Sequence, residues 1–282
     1  MDTLETLKQF GSEITIADAI ILLPGLTILG VWLLKTSFGK TALVDSVPRR
    51  NNMPVYLPFV PLLLWFGIVS LAITITSNLL PDLPDWQGAF LDNAYLCTGA
   101  IIAMAIIIFL AKAHFVRRLK GFGLNVKTIH KDFFAAILNL LSAWPIVVLM
   151  IVLTTFIGQL IRGQEFKMQQ HEELELITAY SQLPVRVLII ITTIAVVPVF
   201  EELLFRGLFQ TMIRSFILKP WLSIVISSGL FALAHYQPTH WPALFALSAC
   251  MGYAYEKSGS LFRPIFIHSL FNATSIIAAL YQ

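Results

Sequence analysis

The sequence predicts an all-α protein, a polytopic membrane bundle of about eight transmembrane helices. Of its 282 residues, 57% are hydrophobic and only 12% are charged, whereas a soluble domain carries about 25% charged residues. The apolar residues form stretches of about 20, the length that crosses a bilayer as a helix. The formal net charge is only +3. This composition excludes a soluble enzyme, a disordered chain and a nucleic-acid binder, and it makes the lipid bilayer the expected surroundings.

Eight stretches of the sequence are apolar enough to form spans. In chain order they lie at about 14–34, 54–77, 93–112, 133–160, 184–206, 220–238, 240–256 and 261–281. Pro145 and Pro198 lie inside the fourth and fifth spans. We expect each proline to kink its helix without ending it, because neighbouring groups satisfy the backbone that a proline frees. The polar segment 162–183 is expected to form an exposed, partly helical loop.

Lysines and arginines occur in alternate loops between these spans. Loops one, three, five and seven hold 15 of the 19: Lys35, Lys40, Arg49, Arg50, Lys112, Arg117, Arg118, Lys120, Lys127, Lys131, Arg206, Arg214, Lys219, Lys257 and Arg263. The loop between spans two and three contains aspartates and neither lysine nor arginine. The positive-inside rule therefore predicts cytoplasmic basic loops and both termini outside, in a multi-pass protein of the plasma membrane.

The fifth span contains three charged residues, Glu201, Glu202 and Arg206. A charge at the centre of a span costs about 2.5–3.5 kcal/mol on insertion scales, so each needs a reason. Consecutive helical residues point about 100° apart, so the two carboxylates diverge. Glu202 and Arg206 are four residues apart and face each other as an ion pair would. Glu201 is then left without a partner on its own helix, and we expect it to point into a cavity.

Two later spans add polar groups suited to hydrolysis. His235 lies near the end of span six, and His268 and Asn272 share one face of span eight. Each alone is also explained by packing or by hydrogen bonds between helices. Together, a carboxylate and an imidazole can deprotonate a water, while a second imidazole and an amide can stabilise an oxyanion. Glu201, His235 and His268 could equally hold a catalytic zinc with an open water position.

Three motifs in this region resemble those of the CAAX-protease and bacteriocin-processing family (CPBP, or Abi) of intramembrane proteases. Residues 201–207 read EELLFRG and match EExxxR, residues 231–235 read FALAH and match FxxxH, and residues 268–272 read HSLFN and match HxxxN. The resemblance covers about 184–281. We therefore expect two parts, the transmembrane helices of 1–183 without a recognised motif and a CPBP-like catalytic region at 184–282.

The resemblance implies a membrane endopeptidase similar to CAAX prenyl proteases, acting on a membrane protein or a peptide presented at the membrane. It implies two water-activating residues, two residues that stabilise the oxyanion and a supporting ion pair: Glu201 and His235, His268 and Asn272, and Glu202 with Arg206. The family is commonly labelled metalloprotease, although a metal-free, glutamate-dependent mechanism has been argued for it. The adjacent glutamates and Asn272 make a poor closed ligand set, which favours the metal-free mechanism.

Two other classes of protein fit the same polar residues. A non-catalytic membrane protein, such as an immunity factor, a scaffold or a receptor, could use them to bind a ligand. A proton or small-solute transporter could use the glutamates and histidines as a relay. Transporters commonly carry inverted repeats with broken helices, and the sequence contains neither. It also lacks HExxH, the motif of zincin metalloproteases.

Overall fold

The computed structural model describes residues 16–163, 165–166, 168 and 172–280, and that part of the chain is helical. Its only pairing of extended backbone is an isolated bridge between Asn51 and Phe115. This confirms the all-α class. The helices are α1 Ile16–Lys35, α2 Phe59–Leu79, α3 Asp85–His114, α4 Arg118–Phe122, α5 Ile129–Arg162, α6 Glu172–Ala179, α7 Leu183–Ile217, α8 Pro220–Leu233, α9 Trp241–Ser258 and α10 Phe262–Leu280. Short 3₁₀ turns precede α5 and α9.

Each of the eight predicted spans coincides with one helix, namely α1, α2, α3, α5, α7, α8, α9 and α10 in order. Four of these helices, α2, α3, α5 with its preceding turn, and α7, are long and apolar enough to cross a membrane. Residues 21–35 of α1 and the whole of α8 are shorter apolar helices. A helical membrane bundle is thus confirmed, whereas the number of eight spans is not. Residues 14, 15 and 281 of the predicted spans lie outside the described residues.

The fifth span is much longer than predicted. We expected it to end near 206, yet α7 runs for 35 residues to Ile217, about 52 Å at 1.5 Å per residue. The polar residues Gln210 and Arg214 do not end the helix, because α9 supplies partners for them. Gln210 Nε2 donates to Gly252 O at 3.0 Å, and Arg214 Nε pairs with Glu256 Oε1 at 2.9 Å.

The two prolines predicted inside spans lie within continuous helices, Pro145 in α5 and Pro198 in α7, and Pro24 lies inside α1. Helix α7 contains two π-helical segments, Thr192–Val196 and Leu203–Gln210, on either side of the two glutamates. In the first, the Val197 N–H bonds to Thr192 O, five residues back. The next N–H in that register would serve Thr193 O, but residue 198 is proline and has none. The carbonyl of Thr193 therefore needs another donor.

The polar segment 162–183 is partly helical, as expected, because it contains α6. Most of its described residues are exposed or half-buried, as expected, and Ile177 is the exception among them. Ile177 of α6 is fully buried against Val185 of α7 and Ile276 of α10. This packing fixes α6 against α7 and α10. Residues 164, 167 and 169–171 of the segment lie outside the described part of the chain.

The four basic loops meet at one end of the bundle, as their alternation predicts. Lys257 Nζ donates to Ala42 O of the first loop at 2.8 Å. The Leu261 N–H donates to Gly123 O of the third loop at 3.0 Å. Arg214, after the fifth predicted span, donates to a first-loop carbonyl at 3.2 Å. The N-terminal and C-terminal parts of the chain are therefore joined at this end.

Candidate active site

The predicted ion pair of α7 is present and fully buried. Arg206 Nη1 donates to Glu202 Oε1 at 2.8 Å, and the side chains are 1% and 0% exposed. Arg206 Nη2 also donates to the carbonyl oxygen of Ser248 at 3.1 Å and to its hydroxyl at 2.7 Å. A buried charge is tolerated only when it is paired and hydrogen-bonded, and both conditions hold for Arg206 and for Glu202 Oε1, whereas Glu202 Oε2 has no hydrogen-bond partner. Sequence reasoning missed Ser248, since a single serine in an apolar span carries no signal.

His268 connects this pair to the second glutamate. Its Nδ1 lies 3.0 Å from Glu202 Oε1, so the ring donates to the same carboxylate oxygen that accepts from Arg206. Its Nε2 lies 3.8 Å from Glu201 Oε2. That separation exceeds hydrogen-bond length, and a water beside the gap can bond to both groups. Glu201 is 18% exposed on its side chain and lines a cavity.

His235 reaches the site from a turn and not from a helix. The sixth span was predicted to run to 238, but α8 ends at Leu233. His235 Nδ1 lies 2.8 Å from Phe231 O, so Nδ1 carries a proton and Nε2 is the acceptor of the neutral ring. The Phe231 ring contacts the rings of both His235 and His268, at 4.8 and 5.7 Å between centroids. Trp241 Nε1 holds the turn by donating to His235 O at 2.9 Å.

Asn272 donates to the backbone of α7. Its Nδ2 lies 2.9 Å from Thr193 O, the carbonyl that Pro198 leaves without a donor. The HxxxN asparagine thus satisfies a backbone group at the π-helical segment. Its amide keeps a second N–H and a carbonyl oxygen on a residue that lines the cavity.

The four residues assigned to catalysis from the sequence line one cavity of about 210 Å³. Glu201 comes from α7, His235 from the turn after α8, and His268 and Asn272 from α10. The N-terminal helices contribute to the same cavity, although no motif in them was recognised. Trp65 of α2 and Asn93 of α3 are both lining residues.

The residues suggested for a zinc site do not form a ligand cluster. Within the described chain, no group of three or more histidine, cysteine, aspartate or glutamate side chains is arranged to hold a metal. His268 Nδ1 is bonded to Glu202, and Glu202 Oε1 is bonded to Arg206. The ligand set of Glu201, His235 and His268 is therefore not assembled here, and the metalloprotease label is not supported.

The fold defines the class as a multi-pass integral membrane protein with a polar cavity inside its helical bundle. Residues 183–274, about a third of the chain, match the model of the family described as type II CAAX prenyl endopeptidase Rce1-like. No curated protein and no solved structure matches the chain. The matched residues contain all three motifs, and the match confirms the resemblance to CPBP intramembrane proteases. The matched region is thus similar to that of a type II CAAX prenyl endopeptidase.

Proposed function

We propose that the chain hydrolyses peptide bonds of membrane-associated substrates in the 210 Å³ cavity. The observation that carries the proposal is the convergence of Glu201, His235, His268 and Asn272 on that cavity from three separate parts of the fold. A carboxylate and two imidazoles in one cavity provide a base, an acceptor and a donor for acyl transfer to water.

In this proposal Glu201 and His235 activate the attacking water. The water donates one proton to the Glu201 carboxylate and lies against His235 Nε2, and its oxygen bonds to the scissile carbonyl carbon. Protonated Glu201 then gives the proton to the leaving amine as the C–N bond breaks. The products are a new carboxyl terminus and a new amino terminus, and no other reactant is consumed.

His268 and Asn272 stabilise the oxyanion of the tetrahedral intermediate. Protonated His268 donates from Nε2, while Nδ1 stays bonded to Glu202. Asn272 donates through the N–H that does not bond to Thr193 O. Glu202 and Arg206 act indirectly, since their buried pair fixes the orientation of the His268 ring. Preorganised donors of this kind are usually the largest single contribution to catalysis.

We propose prenylated C-terminal peptides as the first substrate class to test, because the matching family model is that of a CAAX prenyl endopeptidase. The division into 1–183 and 184–282 stays a prediction, and in this proposal the first part contributes to substrate choice. We also propose that the protein lies in the plasma membrane with its basic loops in the cytoplasm, and the charge distribution supports this orientation.

The decisive experiment compares protein termini in membranes containing the wild-type chain or Glu201→Gln at matched abundance. New termini are expected only with the wild type, because the amide of glutamine is not a base. Glu175→Gln is the matched control, since Glu175 lies exposed on α6, away from the cavity. Identical termini with all three chains under several growth conditions would favour the non-catalytic class.

A further inference from the structure

A groove at the basic-loop end of the bundle takes no part in the proposed hydrolysis. It has a volume of about 760 Å³ and lies between the first loop and the turn that joins α7 to α8. That volume is within the usual range of binding sites for small ligands, about 300–1,000 Å³. The described residues that line the groove and those that line the proposed catalytic cavity are different sets. The groove is therefore a separate candidate for a ligand site.

Hydrogen bonds hold the two walls of the groove together. Arg214 Nη2 donates to Ser46 O of the first loop at 3.2 Å, and Trp221 Nε1 of α8 donates to Gly39 O at 3.2 Å. The Trp221 ring also stacks on that of Tyr253 of α9, at 5.8 Å between centroids. Both walls are thus fixed to the helical bundle and to each other, so the groove is a built feature of the fold.

The groove carries positive charge that the protein does not balance. Lys40 of the first loop and Lys219 of the turn both line it, and both are exposed. Arg214 lines it too, but it is only 5% exposed and its charge is balanced by an ion pair with Glu256. Among the described residues, no acidic side chain lines the groove or forms an ion pair with either lysine. An anion in the groove therefore meets two available cations.

The groove continues onto an apolar face of α8. Leu222 and Val225 line it and are three residues apart, so they share one face of the helix. They are 43% and 46% exposed, and Leu218 in the turn is 65% exposed. Helix α8 begins at Pro220, directly after Lys219. The apolar face therefore extends along the helix from the cationic part of the groove.

Cations joined to an apolar face match the chemistry of an anionic phospholipid. Its phosphate group pairs with the lysines, and an acyl chain, which is as apolar as leucine, covers the face of α8. Free phosphate uses only the lysines and leaves the apolar face uncovered, and a zwitterionic head group brings a cation that the lysines repel. Trp221, 36% exposed at this level, is a residue type enriched where head groups meet acyl chains.

We infer that the groove binds one anionic phospholipid, with its phosphate at Lys40 and Lys219 and an acyl chain along Leu222 and Val225. Basic pockets between helices at the cytoplasmic face are known to bind anionic head groups, and this end of the bundle is the one that the charge distribution assigns to the cytoplasm. The first loop and the turn before α8 each supply one lysine, so the bound lipid joins them. The inference does not depend on the proposed function.

The test measures lipid binding to the purified full chain in a neutral detergent by native mass spectrometry. The probes are dioleoyl phosphatidylglycerol, dioleoyl phosphatidylcholine and glycerol 3-phosphate, which is an anionic phosphate without acyl chains. The wild type is expected to bind one phosphatidylglycerol more tightly than either other probe. Lys40→Gln combined with Lys219→Gln is expected to raise the Kd for phosphatidylglycerol about 10- to 30-fold, because both cations are lost.

Two control variants accompany this pair. Lys120→Gln combined with Lys127→Gln removes the same charge from the third loop, at exposed positions that do not line the groove. Its Kd is expected to stay within about twofold of the wild type, because neither lysine touches the lipid. Lys40→Arg combined with Lys219→Arg keeps both charges and is expected to retain binding. Thermal unfolding in the same detergent checks that every variant is folded.

Three results would overturn the inference. An equal loss of phosphatidylglycerol binding in the third-loop variant would show a general attraction to the basic end and no defined site. Equal affinity for phosphatidylcholine would show that the anionic charge is not recognised. Equal affinity for glycerol 3-phosphate would assign the groove to a soluble phosphate compound and overturn the assignment to a lipid.

Discussion

One carboxylate oxygen, Oε1 of Glu202, accepts hydrogen bonds from both Arg206 and His268. The three side chains are buried, so each depends on the others for the interactions that water would otherwise provide. The spacing of Glu202 and Arg206 revealed their pairing from the sequence. The hydrogen bond from His268, 66 residues later in the chain, could not be predicted from spacing. Only the family motifs indicated that His268 and Glu202 belong to one site.

Removal of the Arg206 side chain is expected to lower the stability of the protein strongly. Arg206→Met leaves the Glu202 carboxylate buried without its cation, and loss of one partner of a buried pair costs about 3–5 kcal/mol. The free energy of unfolding in SDS mixed micelles measures this loss. Arg162→Met, at an exposed position, is expected to stay within about 0.5 kcal/mol of the wild type. Equal stability of the two variants would contradict the structural role of the pair.

The double variant separates stability from activity. Glu202→Gln with Arg206→Met removes both charges, so part of the lost stability is expected to return. Activity is not expected to return, because His268 loses the carboxylate that orients its ring. Recovery of cleavage in the double variant would show that the orientation of His268 does not depend on Glu202.

At the level of elements, the two π-helical segments of α7 set the position of the two glutamates. The apolar pattern predicts an ordinary helix here, because a π-helical segment has no residue signature of its own in an apolar span. Pro198 was visible in the sequence and indicated a disturbance of the helix. The identity of the donor that compensates for it, Asn272 on another helix, could not be predicted from spacing.

A double-mutant cycle tests whether Asn272 compensates for Pro198. Asn272→Ala leaves Thr193 O without its donor, and this is expected to cost about 1–3 kcal/mol. In a Pro198→Ala background, residue 198 regains an N–H, so the same change is expected to cost less. The measurement is again unfolding in SDS mixed micelles.

The control for this cycle is Asn78→Ala, at an exposed position of α2. Its effect is expected to be the same with and without Pro198→Ala, as for sites that share no partners. An identical cost of Asn272→Ala in both backgrounds would show that Pro198 and Asn272 are not coupled.

The glycine after the arginine of EExxxR has a packing role. A Cβ atom on Gly207 would lie 2.3 Å from Cζ of Phe122. The Phe122 ring, from α4 in the third loop, is fully buried against α7. Gly207→Ala is therefore expected to destabilise the protein by about 1–3 kcal/mol through overpacking. Gly229 of α8 has open space around its Cβ position. Gly229→Ala is expected to stabilise by up to about 1 kcal/mol.

Thermal unfolding of the two alanine variants in one detergent gives the comparison. Opposite shifts of Tm are expected, downward at 207 and upward at 229. A Gly207→Ala protein with the Tm of the wild type would mean that Phe122 moves aside without cost.

At the scale of the whole molecule, each of the eight apolar stretches of the sequence located a helix, and four of these helices are long and apolar enough to cross a membrane. Their ends were predicted less well. Helix α7 continues past residue 206 because Glu256 of α9 pairs with Arg214. Helix α8 ends at Leu233, before His235, and Trp241 holds the turn that follows by donating to His235 O. Both depend on contacts with distant residues, which a local apolar pattern does not contain.

Sided labelling tests the arrangement of the loops. Single cysteines are introduced at Val47, Lys127 and Asp82, all exposed, after Cys97 and Cys250 are replaced by alanine. An impermeant maleimide is expected to label positions 47 and 127 from the same side of sealed vesicles, the cytoplasmic one. Position 82 is expected to react from the opposite side. Labelling of 47 and 82 from one side would contradict the predicted topology.

The joining of the first loop to the last helices has a consequence for synthesis of the protein. Lys257 donates to Ala42 O, and Arg49 donates to Tyr255 O, across 215 and 206 residues of chain. A ribosome makes the first loop long before it makes those partners. Until almost the whole chain has been made, Ala42 O and the Arg49 cation of this loop therefore lack these partners. A nascent chain that stops before residue 255 cannot form these bonds at the basic-loop end of the bundle. Its first loop would then be accessible to quality-control proteases.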